Sequence, residues 1–305
     1  MKPILVTGVG GPFGGIGQKI VEDLLNRKVP VRALFRTRAP MADELKKRGA
    51  EIVVGDLTSL SDVHRAIEGS ERMYFGMGVS SQYLEATVNV AAVAKHHHIK
   101  AFVNISQMTV SQMSISETTP SPQQKLHWLS EQVLNWSGLP VVHVRSTVFL
   151  EHFFFFKWAR ESIAQAGEIR LSFGDAKTSP IGASDVALVM TEILLHPEKH
   201  IAKVYELTGA RSENMIEIAK EYSSALGRPV KYVDVAFDDW KTQVLSTKGL
   251  PPYVAAHFSA MALLHKQNRY DRLTGDFQAI TGRPPTTVTE WVKSHRQDFS
   301  ISAGQ

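Results

Sequence analysis

The sequence contains no cysteine. That removes disulfides, thiolate catalysis and cysteine-bound zinc together, although it does not fix a compartment. No stretch approaches the ~18 apolar residues of a membrane span. The densest apolar segment, Val148 to Phe156, is broken by Glu151 and His152 and reads as core or pocket wall. There is no room for a charged leader, because Ile4-Leu5-Val6 already reads as a strand. A cytoplasmic location is therefore the expectation. A concentrated basic stripe is missing too. The net charge is +4, and beyond Lys46-Lys47-Arg48 and a loose Arg32/Arg36/Arg38 group the basic residues are dispersed. A direct nucleic-acid partner would favour such a stripe with stacking aromatics. A small anionic ligand needs only a few local positive charges. No linker, repeat or low-complexity tract interrupts the chain.

What is present is an ordinary globular composition. Of the 305 residues, 43% are hydrophobic and 21% charged. That length suits one large α/β unit or two closely joined lobes. Strand and helix signals alternate as far as residue 150. Apolar residues recur helically at Ile16, Ile20 and Leu24, while Val29–Phe35, Glu51–Val54, Met73–Phe75, Ala101–Ile105 and Val141–Val144 read as strands. Such alternation implies right-handed βαβ units and a doubly wound, Rossmann-type parallel sheet. Its ligand crevice should lie at the carboxyl ends of the strands. The rhythm changes afterwards: Phe153–Ala164 and Asp185–Leu195 read as helices, and Val204–Leu207 and Val230–Val235 as strands. The expectation is a nucleotide-binding domain over residues 1–150. A smaller substrate-binding α+β lobe over 151–305 follows, with one or two of its strands returning to the main sheet.

Six glycines fall within ten residues in Thr7-Gly8-Val9-Gly10-Gly11-Pro12-Phe13-Gly14-Gly15-Ile16-Gly17, between a strand and an amphipathic helix. A pyrophosphate meeting backbone N–H groups at a helix N-terminus needs this, because a Cβ would block its approach. Gly8, Gly11, Phe13, Gly14 and Gly15 are the expected cradle. The strand favours the frame 8/11/14 and the helix favours 11/14/17, so the loop reads about three residues longer than usual. The second strand ends in Leu34-Phe35-Arg36-Thr37-Arg38 with no acid to hold a ribose 2′-hydroxyl. Arg36, helped by Arg38 or Thr37, suits a 2′-phosphate instead, which favours NADP(H) over NAD(H). Asp56 and Leu57 follow the third strand near the adenine position, with capping of its own turn as an equal role for Asp56. Gly76-Met77-Gly78 follows the fourth strand, where small residues let a dinucleotide lie close to the backbone. Ser106 and Gln107 follow the fifth, beside the expected nicotinamide.

These residues resemble the NmrA-like group of atypical short-chain dehydrogenase/reductase proteins. The resemblance runs through Val6-Thr7-Gly8, Val31 to Arg36, Gly55-Asp56-Leu57, Leu126-His127-Trp128, Ser137 to Pro140, Phe149-Leu150-Glu151, Ile181 to Ala187, Tyr205 to Gly209 and Thr281 to Pro285. It implies NADP(H) binding, with either reductase activity on quinones, azo dyes or related acceptors such as enones, or a sensor role without chemistry. Three departures stand out. One is the long glycine loop. Another is that none of the seven tyrosines has a lysine four residues on, so the usual hydroxyl–lysine pair is missing and epimerase or isomerase chemistry is disfavoured. The third is His127, at a helix position where such proteins often carry lysine; Lys125 lies roughly 200° away around the helix.

His127 is the candidate proton donor, because imidazole titrates near neutrality, with Glu131 one turn on to orient it. A packed helix histidine is the competing role, and water can protonate a quinone or azo acceptor instead. Phe149 and Phe153 are candidate walls for a flat substrate, although part of the Phe153–Phe156 run belongs to core or a subunit contact, which leaves a homodimer open. Met108, Met113 and their neighbouring serines read as a mobile loop over the nicotinamide. His96-His97-His98 invites a metal, but successive helical positions diverge by ~100°, so no metal is expected there.

Overall fold

The computed structural model describes residues 2–10 and 15–300. Its first half alternates as the hydrophobic pattern dictates: β1 (Ile4–Val6), α1 (Ile16–Asn26), β2 (Val31–Phe35), α2 (Pro40–Lys47), β3 (Glu51–Val54), α3 (Leu60–Ile67), β4 (Arg72–Phe75), α4 (Tyr83–His96), β5 (Ala101–Gln107), α5 (Pro122–Trp136) and β6 (Val141–Ser146). The second half adds α6 (Lys157–Ala166), β7 (Glu168–Leu171), β8 (Lys177–Thr178), α7 (Ala183–Leu195), β9 (Val204–Leu207), β10 (Glu213–Asn214), α8 (Met215–Leu226), β11 (Lys231–Asp234), α9 (Phe237–Trp240), α10 (Pro252–Lys266), α11 (Asp276–Thr281) and α12 (Val288–Ser294).

Seven strands form one parallel sheet in the order β3-β2-β1-β4-β5-β6-β9. The order reverses between β1 and β4, the place where an open α/β sheet leaves a crevice. Successive side chains of a strand face opposite ways, so Ile4 and Val6 join the core under α1 and α7 while Leu5 joins the one under α3 and α4. Helix α7 is buried along most of its length, through Val186, Val189, Met190 and Ile193. It packs on the main sheet, and β9 pairs with β6 from His143↔Val204 onward. One strand of the second half therefore does return to the main sheet, and a helix comes with it.

The remaining elements make a lobe with its own core, in which β7 pairs parallel with β11, and α6, α8, α10 and α12 surround them. Two expectations change here. The helix expected from Phe153 begins only at Lys157, and Phe153–Phe156 lie in turns. Nothing in a run of phenylalanines signals a helix start, and the fully buried Phe154 and Phe155 are held by tertiary packing against Phe173, Trp158 and Phe258. The segment from Met108 is a 3₁₀ turn to Gln112, not an open loop. Met108, Thr109 and Val110 are buried, and Gln112 is bonded to Arg269. No helix among the described residues is long and apolar enough to cross a membrane.

Candidate functional site

The carboxyl ends of β1 and β4 are locked together by one side chain. Thr7 Oγ1 donates to the Gly76 carbonyl at 2.8 Å and accepts from the Gly76 N–H at 2.9 Å. Both bonds are buried, so leaving either group of Gly76 unpaired would cost on the order of 1–3 kcal/mol. Gly8 follows with φ +67°, and a Cβ there would lie 2.6 Å from the Gly76 carbonyl oxygen. Only glycine accepts both that backbone conformation and that approach. Gly17, in the first turn of α1, would bring a Cβ 2.8 Å from the Thr7 carbonyl. Gly8 and Gly17 are thus the fixed ends of the turn: one crosses under β4, the other lets the helix pack against the strand. Gly15 caps α1 in the left-handed region at φ 59°. Gly11, Phe13 and Gly14 lie outside the described residues.

Arg36 is exposed at the end of β2. It makes no ion pair with another described residue, whereas Arg38 is paired to Asp43 at 2.9 Å. Arg36 is therefore the member of that group available to an anion. Asp56 takes the capping role: its carboxylate accepts from the Thr58 N–H at 2.9 Å and hydroxyl at 2.8 Å. Those bonds, with the charge of Arg36, hold it below the usual carboxylate range. Leu57 is half-buried beside it, its carbonyl accepting from Asn89 at 3.3 Å.

A cavity of about 140 Å³ opens where β4, β5 and β6 end. Its floor includes Gly8, Gly76, Met77, Gly78, Ser106 and Gln107, the residues expected to follow strands, together with Ser146 and Thr147 beyond β6. Its far wall comes from the lobe: Phe149, His152, His257, Phe258, Met261 and Tyr270. The described lining contains no lysine, arginine, aspartate or glutamate. Three of its polar atoms, Ser106 Oγ, Thr147 Oγ1 and Gln123 Nε2, are buried without a partner among the described residues. Buried polar groups are normally satisfied, so these three are free to bond to a ligand.

His127 reaches this cavity from α5. The helix starts at Ser121, whose Oγ accepts from the Gln124 N–H at 3.1 Å, with Pro122 in its first turn. Gln123, His127, Ser130, Glu131 and Leu134 then form its buried stripe. The imidazole packs against Tyr83, ring centroids 4.2 Å apart, and is 7% exposed. Burial, with the nearby His257, pushes its pKa down to about 3. His127 is thus a neutral imidazole near pH 7. This corrects the expectation of a group titrating near neutrality, because removal from water penalises the charged form. Glu131 does not orient it; both its oxygens bond to Arg145, at 3.1 and 2.6 Å. Lys125 is exposed on another face.

His257, hydrogen-bonded to Ser121 at 2.7 Å, is likewise depressed to about 3 by burial, and His152 is held well below its ordinary value. Three uncharged imidazoles therefore line one cavity. Phe149 lines it as expected. Phe153 instead stands behind the wall, 5.7 Å from Phe258 ring to ring. The sequence reading missed His152, His257, Tyr270 and Gln123. Only Gln123 carried a local signal, lying one helical turn before His127.

The model of the NmrA-like family matches residues 2–292. The chain is similar to the NAD(P)H azoreductase of Xenophilus azovorans, 28% identical over 98% of this chain and 100% of that protein. In structure it is similar to an NADPH-dependent quinone oxidoreductase from Escherichia coli solved with NADPH, with a TM-score of 0.80 and 23% identity over 96% of this chain and 99% of the other. It also resembles NmrA, a negative transcriptional regulator solved with NADP, with a TM-score of 0.77 and 14% identity over 99% and 98% of the two chains.

Proposed function

This chain belongs to the NmrA-like family, and from that premise we propose that it is an NADPH-dependent oxidoreductase acting on a flat or conjugated apolar acceptor, such as a quinone, an azo compound or an enone. The observation that carries the reading is the uncharged, aromatic-walled cavity opening directly beside the Gly8–Gly76 crossing.

The residues suit the cofactor on three counts. The backbone at Gly8, Gly15 and Gly17 is free of side chains where a pyrophosphate would approach a helix N-terminus. Gly78 opens onto space, since a Cβ there would meet nothing within 4 Å. Arg36 is free for a 2′-phosphate. When bound, NADPH supplies the hydride. The chain's own work is to hold and enclose. Ser106, Thr147 and Gln123 offer hydrogen bonds in a site otherwise poor in polar partners. Phe149 and Phe258 supply apolar aromatic walls for a planar acceptor. His127 serves as a neutral hydrogen-bonding wall, and the acceptor takes its proton from water.

One observation favours a second reading, a non-catalytic NADP(H) sensor. No side chain of the described lining is charged near neutral pH, and the regulator NmrA has the same fold. Titration with NADPH and NADH, followed by absorbance at the nicotinamide band with quinones, azo dyes and enones, separates the two. The reductase reading expects NADPH to bind at least tenfold tighter than NADH and at least one acceptor class to turn over. Tight NADPH binding with no turnover on any acceptor would establish the sensor. His127→Ala should retain turnover; a thousandfold fall in kcat with intact NADPH binding would return the proton to His127.

A further inference from the structure

We propose that His64, His96 and His97 bind one zinc-class divalent ion on the rim of the sheet opposite the cavity. Each offers a ring nitrogen, and these atoms all lie within 4.8 Å of one another. His64 Nδ1 and His97 Nε2 are already 2.9 Å apart and share a proton. Zinc bound to imidazole at about 2.0–2.1 Å in a tetrahedron separates its nitrogens by about 3.3 Å. Replacing the shared proton with an ion thus needs a shift of under an ångström for that pair. The third ring, His96, is exposed to solvent, as is His64, while His97 is partly buried, and His96 can swing to meet the ion.

The helical objection to neighbouring histidines fails here for a local reason. Helix α4 ends at His96. His97 is its C-cap at φ −87°, ψ 7°, and His98 turns away at φ 52°. The ~100° step between successive residues applies only inside a helix. The third ligand comes from the last turn of α3. The rings of His64 and His97 are 4.8 Å apart and those of His96 and His97 5.0 Å, nearly perpendicular.

The surroundings favour a cation. Two helix C-termini converge on the site, each carrying partial negative charge. The nearby cations are engaged elsewhere: Arg65 pairs with Asp62 at 2.7 Å, and Lys95 donates to the Gly138 carbonyl at 3.4 Å. Three imidazoles select zinc, nickel or copper over magnesium or calcium, which prefer oxygen. Three protein ligands leave a fourth position for water. The ion would pin the end of α3 to the end of α4.

The test uses the full chain without an added histidine tag. Calorimetry and thermal melting with zinc chloride should give one ion per chain and a raised Tm, reversed by EDTA. His64→Ala, His96→Ala and His97→Ala should each lose at least tenfold in affinity, and His98→Ala should not. Cobalt(II) should give the visible bands of a tetrahedral site, lost in His97→Ala. All three variants should keep NADPH affinity, since the site lies far from Gly8. Zinc affinity equal in wild type and in the His64→Ala/His97→Ala double variant would overturn the proposal, as would stoichiometry that follows other histidines.

Discussion

The two walls of the cavity are built by different rules. The strand-end wall includes Gly8, Gly76 and Ser106, with Thr7 bonded to Gly76 behind it, each placed by a residue-by-residue pattern along its own strand. The lobe wall is made of His152, His257, Phe258 and Tyr270, drawn together from separate turns and from α10. The first offers a ligand backbone geometry that tolerates no side chain at Gly8. The second surrounds it with rings whose charge has been removed by burial. The comparison teaches that geometry constrains one side of this site and desolvation the other, so different perturbations should break each.

Acid should break the lobe side first and produce the largest effect. His127, His257 and His265 have folded pKa values of about 3, against roughly 6.5 when unfolded. Below pH 6.5 the unfolded chain binds protons that the folded one refuses. The stability these groups permit is complete above pH 6.5 and is lost as pH falls toward 3. Between pH 6.5 and 5 each should cost about 2 kcal/mol. Urea midpoints across that range should fall steeply. His265, stacked between Phe173 and Tyr270 at 4.0 and 3.8 Å, is the probe. His265→Phe keeps the stacking and, with His152 depressed as well, should flatten the slope by roughly a quarter. An unchanged slope would mean that desolvation is not what governs the lobe wall.

The strand-end wall should fail by sterics instead. Gly8→Val forces a β-branched residue to φ +67° and against the Gly76 carbonyl. A destabilisation of about 3 kcal/mol or more is expected, with at least a hundredfold loss of NADPH affinity by fluorescence titration. Thr7→Val keeps the shape and removes both bonds to Gly76. It should cost about 2–3 kcal/mol in urea unfolding. The smallest effect is at the mouth: Arg36→Ala should weaken NADPH about tenfold while leaving NADH affinity unchanged. Equal losses for both nucleotides would remove Arg36 from 2′-phosphate recognition.

Legibility followed the same division. The alternation of strand and helix, the glycine turn and the stripe of α5 were readable because each repeats over a few neighbouring residues. Even there, Gly8 is required by the approach of Gly76, sixty-eight residues away, and the choice between the two glycine frames turns on Gly11 and Gly14, which lie outside the described residues. His257 and Tyr270 sit in no motif; only the docking of α10 brings them beside β4 and β5. Phe153 to Phe156 misled because an unbroken apolar run does not announce its conformation. His127 lines the cavity but has a different proton affinity from the one expected, because burial is a tertiary quantity. The return of α7 and β9 to the main sheet had a partial signal, as α7 is apolar along most of its length.

The central claim is that this cavity holds an acceptor for hydride transfer. It is tested most directly in a single turnover with NADPH deuterated at the transferred position and an enone, whose carbon keeps the label. The account predicts one deuterium in the recovered product and a slower transfer than with unlabelled NADPH, both persisting in His127→Ala. Fully bound NADPH that stays unoxidised, with unlabelled enone recovered and the same result for quinones and azo compounds, would contradict it.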